Sequence, residues 1–282
     1  MPDKRDCDKM KVSVILSTYN APEWLEKVLW GYEAQTWKDF EVIIADDGSA
    51  KPTFDLIERF QKTGNLEIKH VWHEDRGFQK SEILNKAVVA ASTEYLIFSD
   101  GDCIPRKDFV EVHVQNAKRG RFISGGYFML PMDTSKAITR DDISSGRAFE
   151  VTWLKANGLP ATYKTLKLTS HGLLQRLLNT LTPTKPTWNG HNSSGWKEDI
   201  MRVNGFNEQM QYGGQDRELG ERMINAGLRG RQLRYSAICI HLDHKRGYKT
   251  NESISKNRAI RSETRRLRKT WTEFGIVKSH KA

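Results

Sequence analysis

The 282-residue sequence is short of several things, and each shortage excludes a class of protein. It holds three cysteines, Cys7, Cys103 and Cys239, odd in number and too scattered for a metal-ligand spacing or a disulfide framework. No apolar run is long enough to cross a bilayer. The stretch Met1 to Lys11 is charged and lacks the apolar core of a signal peptide, so a cytoplasmic protein is expected. There is no G-x-G-x-x-G and no P-loop, which removes the dinucleotide fingerprint and the kinase-type phosphate loop. Internal repeats and low-complexity tracts are also missing, and Thr180 to Pro186 is the one linker-like stretch.

What is present is enough apolar material, 38% of residues, for a sizeable core in one large domain or one and a half. The net charge of +10 is unevenly spread. Residues 245–282 carry twelve Lys and Arg against three Glu, which leaves the preceding 244 residues almost neutral. Such a tail suits anionic lipid, nucleic acid or another polyanion.

Short β-branched runs alternate with helical patterns through the first hundred residues. Val12 to Thr18, Glu41 to Ala45, Leu66 to Trp72 and Tyr95 to Ser99 read as strands. Pro22 opens a helix with Trp24, Leu25, Val28 and Leu29 on one face, and Asp55 to Phe60 and Phe78 to Ala91 read as helices. This alternation predicts an α/β fold with a doubly wound parallel sheet, whose ligands bind beyond the carboxyl ends of the strands. Thr18-Tyr19-Asn20, Asp46-Asp47 and Asp100-Gly101-Asp102 all fall at such ends. Asp100 and Asp102, two apart on extended chain, point the same way, and Gly101 between them admits a close ligand. Two carboxylates with open positions suit a divalent cation that also grips phosphates, although a tight turn would use the same residues.

Beyond residue 130 the pattern changes. Gly172 to Leu181 is amphipathic and reads as a helix packed on the core, with an acceptor lid or a membrane-touching element as the alternative. Trp188 to Gly195 reads as a polar loop, and Val203-Asn204-Gly205-Phe206-Asn207 as a turn. Gly213-Gly214-Gln215-Asp216 leads into a helix, Leu233 to Ile240 is a last strand, and Ile254 to Phe274 a final helix. Ile260, Leu267, Trp271 and Phe274 form that helix's apolar stripe, opposite Arg258, Arg261, Arg265 and Arg268.

Taken in order, these motifs resemble a nucleotide-sugar glycosyltransferase of the GT-A fold in inverting family 2. Ser17-Thr18-Tyr19-Asn20, Asp46-Asp47-Gly48-Ser49 and Asp100-Gly101-Asp102 are similar to its first-strand, second-strand and DxD motifs. Gly77-Phe78-Gln79-Lys80 through Asn85-Lys86-Ala87 resembles the helix before the DxD strand in chondroitin-polymerase-like members. Val203-Asn204-Gly205-Phe206 followed by Gly213-Gly214-Gln215-Asp216 resembles the β1,4-galactosyltransferase domain. The similarity covers residues 11–130 and 187–250.

The resemblance implies a GT-A (Rossmann-like) fold, a mixed, mainly parallel sheet flanked by helices. It implies a nucleotide-sugar-binding half over 11–130 and an acceptor and base half over 187–250; the sequence itself adds a flexible start over 1–10, a variable helical insertion or acceptor region over 131–186 and a basic amphipathic helix over 251–282. Asp102 would be the direct metal ligand, Asp100 a ligand through water or a ribose holder, and His244, with His241 as runner-up, a third ligand. An imidazole in the shell favours Mn²⁺ over Mg²⁺. Asp216 would be the general base of a single displacement, kept ionised by its helix N-terminus, or else only a helix cap. Thr18, Asn20, Asp46, Asp47, Arg76, Lys80, Asp100 and Gly101 would bind the nucleotide sugar. Trp188, His191, Asn192, Tyr212, Gly214 and Gln215 would line the donor or acceptor sugar. Glu198, Asp199 and Glu218 read as surface charges.

The expected partners are a UDP-sugar donor, a glycan or lipid-linked glycan acceptor in lipopolysaccharide, O-antigen or capsule synthesis, and an anionic membrane surface met by the last helix at the inner face. No nucleic acid is expected. The alternatives are a nucleotidyltransferase, which shares the paired carboxylates, and a polyanion-binding protein acting through its tail.

Overall fold

The computed structural model describes residues 10–244 and 250–278, so the expected flexible start and the basic run at 245–249 lie largely or wholly outside the described residues. The first half runs β1 (Val12–Thr18), α1 (Pro22–Glu33), β2 (Phe40–Asp46), α2 (Lys51–Thr63), β3 (Glu67–Trp72), α3 (Lys80–Ala90) and β4 (Tyr95–Asp100). Then come β5 (Cys103–Pro105), α4 (Phe109–Asn116), β6 (Arg121–Met129) and the short helices α5 (Met132–Ala137), α6 (Arg140–Ser145), α7 (Val151–Ala156) and α8 (Leu166–Thr169). The chain continues through α9 (Gly172–Leu181), β7 (Asn192–Trp196), α10 (Lys197–Arg202), α11 (Gln215–Asn225), β8 (Arg229–His241) and α12 (Asn251–Arg266).

One mixed sheet has the order β3-β2-β1-β4-β7-β6-β8-β5. The four strands from β3 to β4 are parallel, because each connection between them is a helix long enough to cross back. β7 runs antiparallel to β4, with Ser99 opposite Asn192, and joins the two halves. β6 pairs antiparallel with β7 and parallel with β8, with a bulge between Gly125 and Gly126. Along β1 successive residues serve opposite faces. Val14 and Leu16 pack with α1, while Ile15 packs with Ile83, Phe98, Trp188, Phe206 and Leu219. Both faces are covered, so β1 and β2 are buried throughout and read as continuous apolar runs.

Four expectations are corrected here. Trp188 to Gly195 contains a buried central strand, β7, whose side chains are Asn, Ser and Gly and give no apolar alternation. Protein partners satisfy them: Ser194 Oγ lies 2.7 Å from both Tyr95 Oη and His113 Nδ1. The helix at Gly172–Leu181 is present but buries none of its residues, so it is not a core helix. The final helix ends at Arg266, and Leu267, Trp271 and Phe274 lie beyond it; its buried side is Ser253, Asn257 and Thr264, not an apolar stripe. Two of its arginines, Arg261 and Arg265, are paired with Glu221. Glu218 and Asp199 are buried, and Glu218 makes a fully buried pair with Arg222 at 2.7 Å.

Trp188 is the largest side chain with no exposed surface, edge-on to Phe98 at 5.3 Å and tilted against Phe122 at 5.8 Å. Trp188→Ala is expected to cost about 3–5 kcal/mol of unfolding free energy by cavity formation. Urea titration measures it; a loss under about 1 kcal/mol would mean that the indole is not a core element.

Candidate active site

The parallel strands end in a charged recess, where Lys80, Asp100 and Asp102 are largely but not wholly covered. β1 and β4 stand in register with Ser17 beside Asp100. Ser17 Oγ donates to Asp100 Oδ1 at 2.7 Å, and the Gly101 N–H donates to the Ser17 carbonyl at 2.7 Å. Lys80, the first residue of α3, reaches the same Asp100 oxygen at 2.6 Å. This ammonium is recessed among carboxylates. Burial works against its charge, but Asp100, Asp216 and Asp102 outweigh it and hold the proton on well above the ordinary lysine range. Burial likewise opposes ionisation of Asp100, yet Lys80 keeps its carboxyl below the usual carboxylate range.

β4 stops at Asp100, and Asp102 lies in the turn before β5. Its backbone carbonyl accepts from the Leu242 N–H at 2.9 Å, which draws the end of β8 onto the turn. The two histidines at that end face its carboxylate: His244 Nε2 is 3.1 Å from Oδ2 and His241 Nε2 is 3.9 Å from Oδ1. The two rings stack at 5.5 Å. His241 Nδ1 lies 2.8 Å from the Leu242 carbonyl, an acceptor only, so Nδ1 carries the proton and Nε2 offers its lone pair. Burial would raise the Asp102 pKa, but His244 and His241 bring it well below the carboxylate range.

Asp102, His241 and His244 each offer a ligand atom, all within 4.8 Å of one another. One carboxylate and two imidazoles, one of them oriented through its other ring nitrogen, form a donor set that fits a divalent transition cation. Among the described residues, Asp100, Asp102 and Asp216 surround the Lys80 ammonium, an acidic setting that suits a cation.

Asp216 enters from the other half, in the first turn of α11 after Gly213 and Gly214, which stand at φ of 116° and 92°. Among the described residues its Oδ1 has no hydrogen-bond partner. Burial and then the nearby Asp100 raise its pKa, against the pull of Lys80 and the Gly190 N–H. A helix N-terminus favours the ionised form, while desolvation works against it and shifts the pKa upward. Gly190 is required beside it: a Cβ there would sit 2.8 Å from both carboxylate oxygens.

Other expected residues fall differently. Thr18 and Asn20 lie at the end of β1; Thr18 Oγ1 is buried and has no partner among the described residues, and Asn20 Oδ1 accepts from the Ala50 N–H. Asp46 is fully buried, held by the Ser49 N–H and His70, so it fastens a turn and does not face a ligand. Asp47 keeps slight exposure, between His73 Nε2 at 2.8 Å and the Gln79 N–H at 3.0 Å. Arg76 is exposed and pairs with Glu82 at 3.1 Å. What approaches Gly101 is β1 itself, since a Cβ there would meet Ser17 O and Thr18 Oγ1 at 3.1 Å.

Trp188 is core, and Asn192 is wholly buried, its amide donating to the Gly126 carbonyl at 2.7 Å and the Ala237 carbonyl at 3.0 Å. Neither side chain can line a sugar site. Gln215 is also buried, and its Oε1 accepts from the Gly213 N–H. Gly214 remains at the mouth beside Arg261, and Tyr212 is half-buried, edge-on to Phe78. His191 stands over the depression with its ring 4.5 Å from Tyr127; burial lowers its pKa to about 4, so it is neutral. Sequence reasoning missed Ser17, Tyr127 and Gly190 as site residues. Ser17 lies in a quoted motif, but nothing in the sequence marks its contact with Asp100, which depends on strand register.

A charged recess at the strand ends of this mixed sheet, with a carboxylate–imidazole donor set and an opposed carboxylate, is a site suited to metal-assisted group transfer. The glycosyl transferase family 2 model matches residues 13–178, more than half of the sequence, and this chain belongs to that family of enzymes. The model for the N-terminal domain of galactosyltransferase matches residues 184–245. The glycosyltransferase YfnE of Bacillus subtilis is 27% identical over 88% of this chain and 69% of its own. Chondroitin synthase of Escherichia coli is 26% identical over 77% of this chain, which spans only 32% of that protein. Among solved structures, S. aureus TarS 1-349 in complex with UDP-GlcNAc aligns at a TM-score of 0.59 and 18% identity, over 89% of this chain and 65% of that one. The mannosyltransferase PcManGT from Pyrobaculum calidifontis, in complex with GDP-Man and Mn²⁺, aligns at 0.57 and 21%, over 84% and 58%.

The raised pKa of Asp216 has a consequence for stability. The folded state holds this proton more tightly than the unfolded chain, so ionised Asp216 destabilises the fold above its folded pKa and not below the unfolded value near 4. Asp216→Asn is expected to keep or raise the melting temperature at pH 7, with the difference vanishing below about pH 4. A marked drop at pH 7 would show that the carboxylate is a structural anchor.

Proposed function

We propose that the chain moves a hexose or N-acetylhexosamine from a UDP-sugar to a hydroxyl of a glycan, free or lipid-linked, with inversion in a single displacement. The pathway would be synthesis of a bacterial surface polysaccharide such as lipopolysaccharide, O-antigen or capsule. The observation that carries this reading is Asp216, a recessed carboxylate with a free oxygen and a raised pKa, set against the Lys80, Asp100 and Asp102 group. A UDP donor is supported by the TarS complexes with UDP-GlcNAc and UDP, and a glycan acceptor by the relation to chondroitin synthase. Family membership favours sugar transfer over nucleotidyl transfer.

In this reading residues 11–130 bind the nucleotide sugar, with Thr18, Asn20 and Asp47 on the nucleoside side. Residues 187–250 supply the base, and residues 131–186 meet the acceptor. Asp102, His241 and His244 would hold a divalent cation, and their imidazoles favour Mn²⁺ over Mg²⁺. When bound, the cation offsets the charge of the departing diphosphate. Lys80 fixes Asp100 and contributes positive charge beside it. Asp216 accepts the proton of the attacking hydroxyl at Oδ1, and its raised pKa brings it closer to the proton it must take. His191, Tyr212 and Gly214 shape the sugar side of the mouth.

Calorimetry with UDP is expected to show Mn²⁺-dependent binding that Asp102→Ala abolishes. Asp216→Asn should retain that binding and lose about 10²–10⁴-fold in turnover. The acid limb of turnover should fall above the ordinary aspartate range, because a proton on Asp216 disables it. Full turnover by Asp216→Asn would remove the base assignment, and absence of any nucleotide binding with metal present would remove the donor site.

A further inference from the structure

We propose that the face formed by α8 and α9 docks on an anionic lipid bilayer. α9 is inside-out for a surface helix. Gln175 Nε2 donates to the Tyr235 carbonyl at 3.0 Å, and Asn179 Nδ2 donates to Ser236 Oγ at 2.7 Å while its Oδ1 accepts from the Tyr235 N–H at 2.9 Å. These contacts turn the polar side of the helix onto β8. Leu173, Leu177 and Leu181, spaced four apart, therefore lie along the outer side with Leu174, and are 82%, 52%, 66% and 51% exposed. Four leucines on a ten-residue helix form a contiguous apolar ridge where water gains nothing from them.

The charge around the ridge selects the occupant. From residue 151 to residue 197 there is no Asp or Glu, while Lys155, Lys164, Lys167, Arg176, Lys185 and Lys197 are present. Lys164, Arg176 and Lys185 are exposed in the same segment. An apolar ridge on a segment that carries exposed cations and no acids complements a surface of anionic headgroups over acyl chains. Among the described residues no helix is long and apolar enough to cross a membrane, so the contact is interfacial. The same element touches the wall of the depression: Lys167 Nζ donates to the Tyr127 carbonyl at 2.9 Å, and the Tyr127 ring packs on His191 and His241. Docking thus sets the mouth of the site near the lipid surface, a consequence that rests on the transferase reading; the docking itself does not.

The test uses the full chain without donor or metal, sedimented with vesicles of pure phosphatidylcholine or of an equal mixture with phosphatidylglycerol. Binding is expected to the mixed vesicles, to weaken with salt, and to be slight for the neutral ones. Leu173→Ser with Leu177→Ser should lower partitioning by roughly tenfold per leucine. Lys164→Gln with Arg176→Gln should reduce the preference for anionic vesicles by about fivefold or more. All four side chains are exposed, so circular dichroism and melting temperature should not change. No binding to the mixed vesicles, or unchanged partitioning of the leucine variant, would overturn the proposal. So would a solution dimer that the leucine variant breaks, which would make a second copy the occupant. Mn²⁺-dependent UDP binding, measured separately on the same variant, should persist; its loss would count against the transferase reading and not against docking.

Discussion

Among the described residues, the carboxylates of Asp100, Asp102 and Asp216 gather around the Lys80 ammonium at the carboxyl edge of the sheet, and the surrounding structure answers to that crowding of charge. Lys80 lies against Asp100, and the pair is recessed, so removing either partner would leave an uncompensated charge. Asp102 finds its relief in two imidazoles at the end of β8. Asp216 finds least, and its proton is held more tightly as a result. One low-dielectric site thus drives the pKa values of neighbouring aspartates in opposite directions. That is the condition under which one carboxylate serves as an anionic ligand while another works as a base.

These groups come from distant parts of the chain, and the seam between them is a polar strand. β7 joins the donor-side strand β4 to β6 and β8. Asn192 at its start spans the seam, its Oδ1 accepting from His113 Nε2 at 3.0 Å and its Nδ2 donating to carbonyls of β6 and β8. Gly125 makes room for it, because a Cβ there would stand 1.9 Å from Asn192 Oδ1. His113 is buried, which lowers its pKa to about 4 and keeps it neutral. A fully satisfied network of this kind fixes one arrangement of the two halves, whereas an apolar seam could slide.

This seam also marks where the sequence ceases to be legible. The parallel half could be read because both faces of β1, β2 and β4 are buried and their apolar runs are unbroken. The ends of those strands, Asp100 and Asp102 above all, could be located by counting. β7 could not, because Asn, Ser and Ser in a strand core look like a loop until their partners are known. Trp188 and Asn192 failed for the same reason: they sit next to the depression in sequence but point away from it. Lys80 shows the opposite case, a helix lysine that reads as solvated until its turn of α3 is set against β4.

The basic carboxyl-terminal helix is best understood through Asp216. Asn257 donates to the carbonyls of Gln211 and Gly213, Thr264 Oγ1 donates to Glu218, and Arg261 and Arg265 clamp Glu221. Every one of these contacts lies on α11 or on the glycine loop that precedes it. That loop has two residues at positive φ and little side-chain packing of its own, so it needs an external brace to hold one conformation. The polar buried face of α12 supplies donors where the loop exposes carbonyls, a task that an apolar stripe could not perform. Part of the tail's positive charge is therefore spent within the fold, on acids of α11. Four exposed leucines belong to α9, within a 47-residue stretch, 151–197, that holds no Asp or Glu.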